Sequence, residues 1–381
     1  FERPDAGRPN SNKPDDLANL GKSPALSDSE IGKAVVRALD FFARKQLKDG
    51  SWKETSSRVA HTGLVILSYL SYGVTHESVM HKGTEPYMAN VGRALDWLVA
   101  QVGPDGALRD GGRMYDQAAG TYALAEAYMI TKDFSLREPL QKAVKYLVDG
   151  QHDGGGWRYN RGNKGDLSVS GWVISALVSA RNAGVSVPDE VFKKAGAFVL
   201  ALHSSDGKYG YRGKGFKLTM SAVGMFSLQL LGQEIMGPIV GGSGFNGGGG
   251  GGQKNNDALY TDLIEKSSVT LMQHLPEDSI RTARPFYYWY YGTFAMRILG
   301  GDSWAKWKNS AHNTLLPMQV KDGSDNDGSW NPKIKKGKTG RIITTAWVVL
   351  TMMAPDRPGL GPVGPIGPKP PPGLGPGGQR S

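Results

Sequence analysis

Two carboxylates and one imidazole are the residues of this chain best suited to moving protons. Asp116 and Asp166 lie fifty positions apart, at the starts of adjacent buried helices. A carboxyl pair on neighbouring helices could flank a glycosidic bond, one as acid and one as base. Asp166 alone could serve as a general acid, and His61 as an acid or base near neutral pH. Each has a structural alternative. Asp166 could N-cap the helix that follows it, and His61 could be a hydrogen-bonded wall residue. The chain has no cysteine. That removes a thiol nucleophile, an internal thioester, disulfides and Cys-ligated zinc. No metal site and no cofactor is expected.

A second set of residues suits binding. The net charge is +10, and its placement matters more than its size. Arg113, Arg158, Lys217 and Arg341 lie in the loops from outer to inner helices, which also carry Lys53, Arg58, Arg109, Arg161, Lys164, Lys208, Arg281, Arg284 and Lys333. Acids there are few. If these loops share one end of the fold, they form an electropositive mouth for an anionic ligand such as a diphosphate, an acidic glycan or a lipid headgroup. The bland alternative is ordinary solvated loop cations. The run Tyr287-Tyr288-Trp289-Tyr290-Tyr291 could hold a prenyl chain or a carbocation, with Tyr287, Tyr288 and Tyr291 as the contacts. It could equally be core.

The elements that must position these residues are helices. Apolar residues recur at helical spacing from Ile31 to Gln46, with Ser27 to Glu30 as the N-cap signal and Gly50 as the stop. A more uniformly apolar helix follows from His61 to Tyr72, as expected of a buried one. The alternation continues through pairs at 91–101 and 115–128, 136–150 and 169–183, 190–202 and 218–231, 258–274 and 290–299, and 304–319 and 344–353. An Asp-Gly step marks the hairpin turns at Asp49, Asp105, Asp153, Asp206 and Asp327. The fifth pair lacks it and has Pro276-Glu277-Asp278 instead.

Six hairpins with half-buried outer and buried inner helices can close on themselves, which removes the need for polar capping repeats. The expected fold is all-α, an (α/α)6 toroid. The turn motif Gln46-Leu-Lys-Asp49-Gly50-Ser51-Trp52, with versions at Gln151 to Trp157 and Gln319 to Trp330, resembles the QW repeat of squalene–hopene and oxidosqualene cyclases. The array over about 31–353 is also similar to the prenyltransferase/squalene-oxidase repeat proteins, including bacterial single-toroid members. The resemblance implies that Gln ties an outer-helix end to the next turn and stacks on the Trp. It also exposes two departures. The cyclase acid motif Asp-x-Asp-Asp reads Asp166-Leu-Ser168-Val-Ser170 here. The Asp/Cys/His zinc site of protein prenyltransferases has no Cys to draw on.

The expected domain plan is a polar N-terminal arm (1–27), a toroid (28–354) with a Gly-rich insertion (241–252) read as a linker, and a Pro/Gly-rich tail (355–381). The leading functional expectation is a binding or scaffold protein with a central cavity and an electropositive rim, taking an anionic or isoprenoid-like small molecule or a glycan. The alternatives are an enzyme on an isoprenoid or glycan, and a self-assembling structural protein. No nucleic-acid motif and no transmembrane segment is read. The start at Phe1 fits a processed, extracytoplasmic protein, with the cytoplasm left open.

Overall fold

A computed structural model describes residues 29–54, 57–236, 251–279, 284–332 and 340–354. Among these residues the secondary structure is helical, apart from isolated bridges in the turns. In chain order the α-helices are α1 (Glu30–Lys45), α2 (Arg58–Ser71), α3 (Pro86–Ala100), α4 (Met114–Thr131), α5 (Arg137–Asp149), α6 (Leu167–Asn182), α7 (Asp189–Ala201), α8 (Leu218–Met236), α9 (Gly251–Met272), α10 (Pro285–Leu299), α11 (Gly301–Leu315) and α12 (Arg341–Met353). The arm, the tail and most of the glycine insertion lie outside the described residues. Gly251 and Gly252, which the linker reading included, begin α9 instead.

The even-numbered helices form the inner wall. Each packs on the next, and α12 packs back on α2, so the ring is closed. Burial separates the two layers. Every residue of α2 from Val59 to Ser71 is buried, whereas α5 buries only Leu140, Ala143, Val144 and Leu147. The α5 stripe is the ordinary amphipathic solution. An inner helix has neighbours on all sides and so needs apolar or small residues all round.

The turn motif does more than the cyclase resemblance implies, for beside the tie from Gln to the turn it makes two further bonds. The Trp52 indole donates to Phe42 O at 2.8 Å, Trp157 to Leu147 O at 2.7 Å, and Trp330 to Leu315 O at 2.8 Å. These carbonyls lie in the last turn of an outer helix, where intrahelical donors run out, so the Trp helps to satisfy the helix end. The Gln reaches further. Gln46 Nε2 donates to Gly50 O in its own turn and to Asn90 O in the middle of α3, both at 2.8 Å. Gln151 does the same toward Val191, and Gln319 toward Ala34. Each Gln therefore clips one hairpin to the body of the next outer helix. Gly50 does not stop α1, which ends at Lys45. Its φ of +92° closes the turn, and a Cβ there would strike the Arg93 carbonyl of α3.

The second hairpin solves the same problem with another residue. Gln101 turns back to Trp97 O. Gln117, on α4, takes over: its Oε1 accepts from Leu108 N at 2.7 Å and its Nε2 donates to Gly106 O at 2.9 Å. In other hairpins an inner-helix hydroxyl bonds the corresponding amide, Thr62 to Trp52 N, Ser170 to Trp157 N, Ser221 to Tyr209 N and Thr345 to Trp330 N. These first-turn residues hold the turns rather than facing the axis.

Candidate functional site at the outer-to-inner loop end

The loops that lead from outer to inner helices lie together at one end, because the ring closes with inner helices side by side. Just inside that end, aromatic side chains of five inner helices meet. Trp172 of α6 stacks on Tyr290 of α10 at 5.3 Å, meets Tyr115 of α4 edge-on at 5.7 Å, and lies 5.6 Å from Tyr291. Tyr287 lies 5.1 Å from Trp347 of α12, and Phe226 of α8 packs on Tyr291 at 5.9 Å. Helices α6 and α10 are not neighbours in the ring, so rings that touch between them must cross its interior. Trp172, Tyr290 and Tyr291 are at most 1% exposed, which means that water does not reach them.

This packing places the three predicted tyrosines. Tyr287 is closest to the loop end, with its hydroxyl 3.1 Å from Ser168 Oγ. Burial pushes its phenol up to about 12. Tyr291 is interlocked with Tyr287, Tyr290 and Trp172. Tyr288 points outward: it packs on Trp307 of α11 and donates to His274 O at 2.8 Å.

Asp166 N-caps α6, accepting from Val169 N at 2.9 Å. Its second oxygen makes no hydrogen bond, with the Arg158 guanidinium 3.7 Å away. Burial raises its pKa, opposed by the Val169 amide, the Tyr211 hydroxyl and Arg158. Asp116, in the first turn of α4, is 1% exposed, and neither oxygen makes a hydrogen bond. Burial raises its pKa to about 7, with the nearby Ser57 hydroxyl and Arg113 holding it below what burial alone would give. His61 is fully buried: Nδ1 lies 2.6 Å from Ser57 O, Nε2 is without a partner, and burial lowers its pKa. All three side chains are therefore enclosed.

The predicted cations are distributed round the rim rather than converging. Lys217 is exposed on the fourth turn, and Arg341 donates to Ser329 Oγ at 2.9 Å in the last repeat. Arg113 is different. With Arg109 and Arg161 it lines a cavity of about 300 Å³ between the second and third turns, together with Gln117, Tyr146, Tyr159 and Asn160. The Arg113 guanidinium lies 5.7 Å from the Tyr159 ring and that of Arg161 lies 4.8 Å from Tyr146. Such stacking holds a cation in place without neutralising it. Among the described residues neither Arg109 nor Arg113 forms a salt bridge, whereas Arg161 reaches Asp149 at 3.4 Å. Sequence reasoning placed Arg109 and Arg161 in the basic loops but did not single them out. Tyr146 escaped it because it sits on outer helix α5. The detectable signal was an Arg and a Tyr on each side of one turn pair.

At the opposite end, His76, Glu77 and Asp133 bring ligand-type atoms together, but His76 Nε2 and Asp133 Oδ2 bond each other directly at 3.0 Å. Among the described residues, no helix is long and apolar enough to cross a membrane.

Solved structures share this architecture. One is an α-1,6-mannanase, GH76A of Salegentibacter sp. HEL1_6, seen as an inactive variant with two adjacent aspartates replaced, in complex with α-1,6-mannotriose. It is 11% identical, the match covers 86% of this chain and 99% of that one, and the TM-score is 0.60. Another is the type II terpene cyclase MstE from Scytonema, 14% identical over 86% of this chain and 99% of that one, with a TM-score of 0.56. At this identity the likeness establishes the fold. No protein-family model matches the chain, and no curated protein matches it either. The chain is thus an all-α, closed toroid of six helical hairpins, an architecture found in both a glycan hydrolase and a terpene cyclase.

Proposed function

We propose that this protein is a binding protein that holds an anionic ligand at the loop end of the toroid, off the axis, in the cavity between the second and third turns. The observation that carries this reading is the cavity lining, in which Arg109 and Arg113 are unpaired among the described residues and two tyrosines position guanidinium groups. Guanidinium forks match carboxylate, sulfate and phosphate oxygens. The packed aromatic centre argues against a long isoprenoid tail on the axis, since Trp172, Tyr290 and Tyr291 leave no exposed apolar face there. A charged group on a glycan or small molecule suits the site better.

An enzyme remains the second reading, and the burial of Asp116 favours it. Asp116 is poised near neutrality, where a general acid works best. Its enclosure weighs against direct contact with substrate.

Calorimetric titration with inorganic diphosphate and with geranylgeranyl diphosphate separates the ligand classes. The binding reading expects the two to bind alike, through the anion. A hundredfold preference for the prenylated form would overturn it in favour of an apolar tunnel.

A further inference from the structure

Asp116 is the anomaly that the binding site itself does not use. It is a carboxyl group with neither oxygen hydrogen-bonded, enclosed almost completely. Burying an ionised carboxylate without partners is strongly unfavourable, and the group responds by keeping its proton. Its position links it to the cavity. A Cβ on Gly111 would overlap the Asp116 Cβ, so the loop that carries Arg109 and Arg113 lies directly on this side chain. The third turn holds the same helix start, through Met114 N to Tyr159 O at 2.9 Å.

The surrounding charges are already engaged, apart from those of Arg109 and Arg113. From the α2 side, Arg58 pairs with Asp49 and Asp110, and Glu54 accepts from Ile342 N at 2.8 Å. His61 is bound to Ser57 O and kept neutral by burial. On the α4 side, the Tyr115 phenol is held neutral by burial. The third turn contributes Tyr159, which faces Arg113, and Arg158, which faces Asp166. Arg113, three residues before Asp116 and in the cavity wall, is the cation that acts on it.

We infer that Asp116 is a proton-controlled gate on the anion site: neutral, it leaves Arg113 to the ligand, and ionised, it competes for that guanidinium and weakens the site. The inference rests on the binding reading above. Linkage makes it reciprocal, so that an anion in the cavity must raise the affinity of Asp116 for its proton. Binding near neutral pH is then accompanied by proton uptake.

The test uses the full chain and sucrose octasulfate, whose charge does not change across the range. Wild-type affinity is expected to fall about tenfold between about pH 6 and about pH 8. Asp116→Asn, an uncharged isostere, is expected to bind equally at both, near the wild-type value at low pH. A pH dependence that persists in Asp116→Asn would come from other groups and overturns the inference. If that variant does not fold, the carboxyl NMR titration of wild-type Asp116 decides: its midpoint must rise when ligand is added, and an unmoved midpoint overturns the inference. Equal wild-type affinity at both pH values sinks the gate while leaving the binding reading intact. No binding at either pH sinks the binding reading and the gate together.

Discussion

Gln319 Nε2 donates to the carbonyl of Ala34 at 2.7 Å, across the seam where the last hairpin meets the first. The same amide donates to Gly328 O at 2.9 Å. This is the clip that Gln46 makes to Asn90 and Gln151 to Val191, here joining residues 285 apart in sequence. The ring is therefore closed by its own repeat motif.

Gln319→Ala is expected to cost about 1–3 kcal/mol, two buried hydrogen bonds with the Ala34 and Gly328 carbonyls left to find others. Urea denaturation measures it. A loss much smaller than that of Gln46→Ala would mean that the seam is held by something else.

Gly328→Ala and Gly83→Ala compare strain with collision. Both glycines have positive φ, but a Cβ at Gly328 would strike the Arg37 carbonyl of α1 whereas Gly83 is surrounded by open space. Gly83→Ala should cost only the backbone term, about 1–2 kcal/mol. Gly328→Ala should cost at least about 3 kcal/mol, because the α1 backbone must also move. Equal losses would contradict the close packing of turn on helix.

Trp172→Ala is expected to destabilise by about 3–5 kcal/mol, the range for truncating a large buried aromatic. Phe134, an exposed ring, should tolerate alanine within about 0.5 kcal/mol. A near-neutral Trp172→Ala would show that the aromatic centre is a ligand-lined space rather than packed core.

Asp116 also predicts a pH dependence of stability. Its pKa is raised to about 7 in the fold from an ordinary 3.8. Between those values the folded chain keeps a proton that the unfolded chain has released. The favourable contribution is complete below about pH 4, declines as pH rises, and is lost above about pH 7. Asp116→Asn should therefore be more stable than wild type by about 2–4 kcal/mol near pH 8, with the difference vanishing near pH 4. A constant difference across that range would contradict an ionised, unpartnered Asp116.

The helices were legible in the sequence because inner and outer elements follow different hydrophobic patterns, and the Asp-Gly steps marked the turns. Closure followed from the absence of polar caps. Two features were not legible. The reach of each Gln to the next outer helix and the bond of each Trp to the helix end are the first, since only coordinates show which carbonyl each side chain reaches. The cavity, too, depends on Tyr146 from an outer helix approaching Arg161 from a loop, a pairing that no local spacing announces. Asp166 reads correctly as an N-cap from its position alone. Asp116 has no such signature, because its environment is supplied by Gly111, Ser57 and Val59 from other segments.

The central claim is that the cations at the loop end, and specifically those between the second and third turns, bind an anion. The most direct measurement is the affinity of this chain for sucrose octasulfate in Arg109→Ala/Arg113→Ala, set against Lys82→Ala/Arg137→Ala, which removes two exposed cations at the other end. The account predicts a loss of tenfold or more in the first variant, about 1.4 kcal/mol or more, and little change in the second. Equal losses in both, or unchanged affinity in the first, would contradict it.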